Sequence, residues 1–262
     1  MDMYSYWQKQ TPDGPLFPDI EWNKPEQKRY AGKLTIIGGN KLGFAAPAQS
    51  YSDALKAGIG DMRVVLPDAL RRAIPATMVD SVFVPTNASG GISKDAEEEI
   101  LGLCAWSDGV LLIGDTGRNS ETAIVMESLL QRYSGPLTVT RDGIDLLKNS
   151  AEVLLQREQT VLVVSFAQLQ KLFQAVYYPK TLLFSMQLTS FVEALHKFTI
   201  TFPVALVVLH QEQLIVAHDG NITSTPFTEP MRIWRGSVAS RAAVYWIWNQ
   251  QKPLEAVTAS FL

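Results

Sequence analysis

The 262-residue chain holds a single cysteine, Cys104, which excludes an intramolecular disulfide framework and any multi-cysteine metal cluster. Its three histidines, His196, His210 and His218, show no metal-ligand spacing such as HExxH. A basic excess is missing too: 23 Lys and Arg stand against 26 Asp and Glu, a formal charge of −3. Nothing therefore draws the chain to a nucleic-acid backbone. No uncharged apolar run reaches the roughly 18 residues that a membrane-spanning helix needs. The most apolar stretch, Phe198 to Leu209, is shorter and is interrupted by Pro203. The N-terminus has an early acid and no apolar core, unlike a secretory signal. The expectation is a soluble, cytoplasmic protein that binds neither nucleic acid nor membrane.

What remains is 47% hydrophobic and 19% charged, a composition able to bury a sizeable core. Residues 1–32 are rich in Pro, Gln and aromatics and show neither helical nor strand periodicity. They read as an extended arm anchored by Tyr4, Trp7, Phe17 and Trp22. From Lys33 a repeating pattern begins. KLTIIGG is a short apolar run ending in glycines, the mark of a buried strand entering a turn. Ala46 to Ala57 follows at helical spacing, then the strands MRVVLP and SVFVPT. An acidic helix runs from Ser93 to Trp106, with Ser93 as N-cap and acids near the positive end of the helix dipole. GVLLIGD, a helix from Ser120 to Tyr133, PLTVT, TVLVVS and a helix from Gln168 to Val176 continue the alternation. Such alternation indicates a parallel sheet covered on both faces.

After Phe198 the pattern changes to three short strands, PVALVVLH, QLIVAHDG and NITSTP, with Asp219-Gly220 as a hairpin signal. A helix from Gly236 to Gln250 carries Tyr245, Trp246 and Trp248, and another short helix starts near Pro253. Residues 33–262 read as one α/β domain. The aromatics of the long helix suit either a core stripe or a protein–protein surface.

Ligands of open parallel sheets bind beyond the carboxyl ends of the strands. Three loops are placed for this. GGNKLGFAAP (Gly38 to Pro47) permits close backbone approach and opens a helix whose free amides attract anions. GDTGRNSET (Gly114 to Thr122) repeats that context. RGSVASR (Arg235 to Arg241) presents the amides of Gly236 and Ser237 beside arginines. Each serves equally as a plain strand-to-helix turn or N-cap, and none has Walker or dinucleotide-fingerprint spacing. Cys104 sits on the inner face of its helix and reads as a buried structural thiol. His210 and His218 flank a hairpin and read as surface histidines.

The order of these segments resembles the ribokinase-like ADP/ATP-dependent NAD(P)H-hydrate dehydratases. Gly38-Gly39, Ala46-Pro47 and Ala57-Gly58-Ile59-Gly60 match that family's GGS turn, GAP loop end and AGAG turn. EQKRYAG looks like a worn HKGxxG lead-in. LLIGDTGRN is similar to the strand ending in GPGLGR, and PLTVTRDGIDLL to PLVLDADALNLL, keeping Asp142 but placing Thr140 at the first acid. VVLHQEQLIVAHDGNI matches the pair VVLKGxxTVIxxPDGxV, and RGSVASRAAVYWIWNQQKPLEAV takes the place of the GSGDVLAG segment.

The resemblance implies a three-layer ribokinase-like sandwich, a mostly parallel sheet with a C-terminal antiparallel hairpin region, and a homo-oligomer. It implies a nicotinamide or adenine nucleotide ligand, with ADP or ATP driving dehydration. Substrate contacts would fall at Gly38, Gly39, Ala46, Gly114 and Gly117, and nucleotide contacts at His210, Gln211, Gly236 and Ser237. The chain departs from the family at its chemistry. Val238 and Ala239 occupy the place of the catalytic Asp of GSGD, and no acid lies between Met231 and Asn249. His210 and Gln211 replace the lysine and glycine of the phosphate strand pair, and TPHPGE is reduced to a segment ending in Gln168. Removing a general base costs about 10²–10⁴ in rate. Two expectations follow: a relative that has lost or altered catalysis, or a non-catalytic binding or scaffolding protein on the same fold. For retained catalysis, Asp115, Asp142 or Asp219 would have to supply the carboxylate. A sugar kinase of the wider superfamily also needs the missing Asp.

Overall fold

The computed structural model describes residues 4–11 and 13–262; residues 1–3 and 12 of the expected arm lie outside the described residues. The chain opens with strand β1 (Trp7–Lys9) and the one-turn helix α1 (Pro18–Trp22). Next come β2 (Lys33–Gly38), α2 (Ala45–Ala57), β3 (Asp61–Pro67) and β4 (Ser81–Val84). The middle of the chain holds α3 (Glu97–Trp106), β5 (Gly109–Gly114), α4 (Ser120–Arg132) and β6 (Leu137–Thr140). It continues through α5 (Asp142–Leu146), α6 (Ala151–Gln156), β7 (Thr160–Val164), α7 (Phe166–Ala175) and α8 (Leu188–Thr201). The last third is β8 (Ala205–His210), β9 (Gln213–His218), β10 (Asn221–Pro226), α9 (Pro230–Trp234), α10 (Ser237–Trp248) and α11 (Pro253–Ala259).

The described strands form one sheet in the order β1-β10-β9-β8-β7-β6-β5-β2-β3-β4. All pairs are parallel except β8 with β9 and β9 with β10. The core lies in two apolar layers because side chains alternate across each strand. In β5, Val110 and Leu112 join the layer under α3, α4, α6, α7 and α8, while Leu111 and Ile113 join the layer under α2, α10 and α11. Burying one such Leu or Ile contributes roughly 1.5–3 kcal/mol, so these layers dominate the stability of the sheet. The result is an α/β sandwich with a mostly parallel sheet and helices on both faces. The chain winds from β2 toward β4 on one side and from β5 toward β8 on the other. The loops after β2 and β5 therefore part at the sheet's switch point, where such sheets open a crevice.

The arm differs from its expected form. Trp7–Lys9 adds a parallel strand to β10, with Trp7 Nε1 donating to Ser224 Oγ at 2.9 Å. Trp22 is no anchor: it is 86% exposed, and Ile20 is the buried residue of α1. Two residues along a helix is a turn of about 200°, so a one-turn helix that seats Ile20 must point Trp22 outward. Three further helices, α6, α8 and α9, had no assigned element. In α10 the aromatics are core and not a protein–protein surface: Tyr245 and Trp246 are buried, and Trp248 donates its indole N–H to Ala31 O at 2.9 Å. α7 starts two residues earlier than its expected Gln168 because Ser165 and Gln168 form a reciprocal capping box at its first turn.

Candidate functional site

Gly114, the last residue of β5, is positioned by what stands against it. Its φ is +94°, and a Cβ there would lie 2.1 Å from Asp142 Oδ1. Only glycine admits that approach. The Asp142 carboxylate, at the start of α5, accepts hydrogen bonds from Asp115 N at 2.8 Å, Thr116 N at 3.0 Å and Thr116 Oγ1 at 3.2 Å. Asp142 thus clamps the loop after β5.

That clamp turns Asp115, itself at φ +57°, toward the start of α2. Asp115 Oδ2 accepts the Ala46 N–H at 2.7 Å, and Oδ1 pairs with the Arg141 guanidinium. The pair is largely shielded, the side chains being 18% and 26% exposed. The other Arg141 amine donates to Trp234 O, tying β6 to α9. Asn40 Nδ2 donates to Asp115 O at 2.7 Å and fastens the loop after β2 to the same point. Further out, Gln168 Nε2 donates to Arg141 O at 2.7 Å and Asp145 Oδ2 at 3.1 Å, and Lys171 Nζ approaches Asp145 at 3.5 Å.

Over this polar floor opens a cavity of about 930 Å³, beyond the carboxyl ends of β6, β7 and β8. Its walls include Phe166, Phe184, Leu209, Ile233 and Trp234. Phe166 and Phe184 meet edge to face with centroids 5.5 Å apart. The volume falls within the roughly 300–1,000 Å³ common for small-molecule pockets.

The expected site residues divide. Gly117 lines the cavity, and so do Asn40 and Gly43 of the first glycine loop. Gly38, Gly39, Gly114 and Ala46 stand behind it as the frame that seats Asp115: Gly39 N donates to Gly114 O at 2.8 Å, and Ala46 gives its N–H to the carboxylate. Gly236 and Ser237 begin α10, but the cavity wall on that side is Ile233 and Trp234 of α9. Val238 and Ala239 are buried in the layer under α10. Asp115 and Asp142 sit at the floor, whereas Asp219 lies in the β9–β10 turn, away from it.

His210 is not a surface histidine. It is 2% exposed, because the last residue of β8 faces the layer under α7 and α8, where its ring stacks on Phe166. Its Nε2 meets Met186 O at 2.9 Å, which also accepts Gln211 Nε2 at 3.0 Å. These two residues fasten the connection before α8 to the hairpin. His218 is partly buried, and burial lowers its pKa. Burial raises the Cys104 thiol to about 12, as expected of a structural cysteine. Among the described residues, no group of three or more His, Cys, Asp or Glu side chains could hold a metal ion, and no helix is long and apolar enough to cross a membrane.

Sequence reasoning missed Arg141, Phe166, Phe184 and Trp234. The signal for Arg141 was its position one residue past a strand's carboxyl end. Phe184 and Trp234 gave none, since both lie in irregular or one-turn segments.

No family model matches the chain. Among solved structures, a ribokinase-like superfamily protein from Enterococcus faecalis superposes with a TM-score of 0.74 at 14% identity, covering 98% of this chain and 85% of that one. The ADP/ATP-dependent NAD(P)H-hydrate dehydratase from Bacillus subtilis, co-crystallised with ATP and Mg2+ and soaked with CoA, gives 0.63 at 10% identity, covering 94% and 86%. These likenesses define the class: a ribokinase-like fold. In sequence, 133 residues are 32% identical to a bifunctional NAD(P)H-hydrate repair enzyme from Methanothermobacter thermautotrophicus. The matched stretch is 50% of this chain and 25% of that relative. In sequence, then, half of the chain is similar to NAD(P)H-hydrate repair enzymes, and the match spans about a quarter of their length.

Proposed function

We propose that this protein is a small-molecule-binding relative of the NAD(P)H-hydrate dehydratases in which nucleotide-driven dehydration is lost. The observation that carries the reading is the front of α10, where Val238 and Ala239 are packed into the core and no acid occurs between Met231 and Asn249. Dehydration driven by ADP or ATP needs a carboxylate to move a proton and donors gathered around the developing phosphate charge. The residues present do not fit a polyphosphate: Gly236 to Ala239 at the start of α10 do not line the cavity, and Arg141 pairs with Asp115 and donates to Trp234 O.

A second reading, a working dehydratase with a displaced base, is favoured by the closeness of Asp115 and Asp142 to the cavity. Both carboxylates, however, are held by the hydrogen bonds that build the loop. The Asp-dependent chemistry of a sugar kinase meets the same obstacle. By family resemblance the reading extends to a cytoplasmic homo-oligomer, which sedimentation of the purified protein checks. The functional test is incubation with hydrated NADH plus ADP or ATP at high enzyme concentration. The expected result is no recovery of NADH absorbance beyond the enzyme-free rate; recovery that scales with enzyme overturns the proposal.

A further inference from the structure

The fate of the cavity's anion-holding groups says which ligands it accepts. The N-terminus of α2 offers the Ala46 amide, and β6 delivers one guanidinium, Arg141; together they would seat a phosphate. Here the chain's own Asp115 carboxylate occupies both, at 2.7 Å from Ala46 N and paired with Arg141. The other lysine or arginine of the cavity wall, Lys171, lies at the mouth and faces Asp145. With Asp142 included, the wall carries three carboxylates against two cations. An incoming phosphate would meet a fixed negative charge where it needs donors, and like charges placed together oppose binding strongly. The apolar part of the wall has the opposite character. Phe166, Phe184 and Trp234 present ring faces and edges, and Trp234 is 56% exposed, so a planar ring can lie against them.

Resting on the reading of this cavity as a ligand site, we infer that Asp115 sets its ligand class. The cavity takes a ring-bearing molecule of nucleoside size, uncharged or cationic at the Asp115 end, and turns away its phosphorylated forms.

The test is calorimetric titration of adenosine and ADP into the full-length protein and two variants. The wild type is expected to bind adenosine about tenfold or more tightly than ADP. Asp115→Gly empties the position, and glycine suits the φ of +57°. It is expected to raise ADP affinity about tenfold and to move adenosine affinity by less than about threefold. Asp115→Asn keeps the volume and removes the charge, so it gains a smaller share of the ADP affinity. A wild type that binds ADP as tightly as adenosine overturns the inference, as does one that binds none of adenosine, guanosine, cytidine, uridine and nicotinamide riboside. So does an Asp115→Gly protein with native near-UV circular dichroism and no gain for ADP. If that variant does not fold, Asp115→Asn decides: a folded protein with unchanged discrimination refutes the role of Asp115. Hydrate turnover driven by ADP or ATP would overturn both readings, since the site would then hold phosphorylated nucleotides. A wild type that binds ADP as tightly as adenosine without turnover overturns this inference alone.

Discussion

Gly114→Ala is the substitution whose cost the geometry fixes most tightly. The new Cβ would lie 2.1 Å from Asp142 Oδ1 and 3.1 Å from its Cγ, on a backbone held at φ +94°. Holding a non-glycine residue in a left-handed conformation costs roughly 1–2 kcal/mol. Relieving the clash by moving Asp142 breaks bonds to Asp115 N, Thr116 N and Thr116 Oγ1, and hydrogen bonds to charged groups contribute about 1.5–3 kcal/mol each. These losses overlap, since one movement causes all of them, so the expected destabilisation is about 3–5 kcal/mol. At about 2–4 °C per kcal/mol for a chain of this size, Tm falls by roughly 6–20 °C. Differential scanning calorimetry reads this directly. Gly102→Ala is the internal control: Gly102 lies in α3 with nothing within 4 Å of the added Cβ, and helix propensity favours Ala there by about 0.5–1 kcal/mol. A Gly114→Ala protein melting within about 2 °C of wild type would refute the argument that Asp142 clamps the loop carrying Asp115.

Gln10 is buried in the arm, where its Nε2 donates to Thr258 O at 3.1 Å and Thr225 Oγ1 at 3.3 Å; Gln10→Ala should cost about 1–3 kcal/mol in urea unfolding, and no measurable cost would contradict a docked arm. The buried Cys104 thiol, raised to about 12, should resist aromatic disulfide reagents in the native protein and react only as fast as the protein opens; full labelling within minutes would contradict its burial. His218 is kept neutral by burial, against the opposing pull of Asp219 and Glu255. The unfolded chain then takes up the proton first, so stability falls as pH drops below the ordinary value of 6.5. His218→Gln should flatten that acid-side slope, and an unchanged slope would assign it to other groups.

The alternating architecture was legible because β2, β5, β7 and β8 are nearly continuous apolar runs, which only strands buried on both faces require. The β1 strand was not, since an edge strand of Trp7, Gln8 and Lys9 with one partner needs no apolar alternation. For α8 the signal was present and unread: Phe191, Val192, Leu195, Phe198 and Thr199 recur at helical spacing and are buried. At the site, glycine loops and missing acids could be read from local motifs. The pairing of Asp115 with Arg141 could not, because it joins two strand ends that only the order β5–β6 brings side by side. The aromatic wall depends likewise on α9, too short to declare itself by periodicity.

A crystal structure of the protein soaked with ATP and Mg2+ tests the central claim most directly. The account predicts Asp115 still bridged to Arg141 and the Ala46 amide, with no triphosphate ordered over the first turn of α10. A triphosphate held by the amides of Ser237 to Ala239, with Arg141 swung away from Asp115 to meet it, would contradict it.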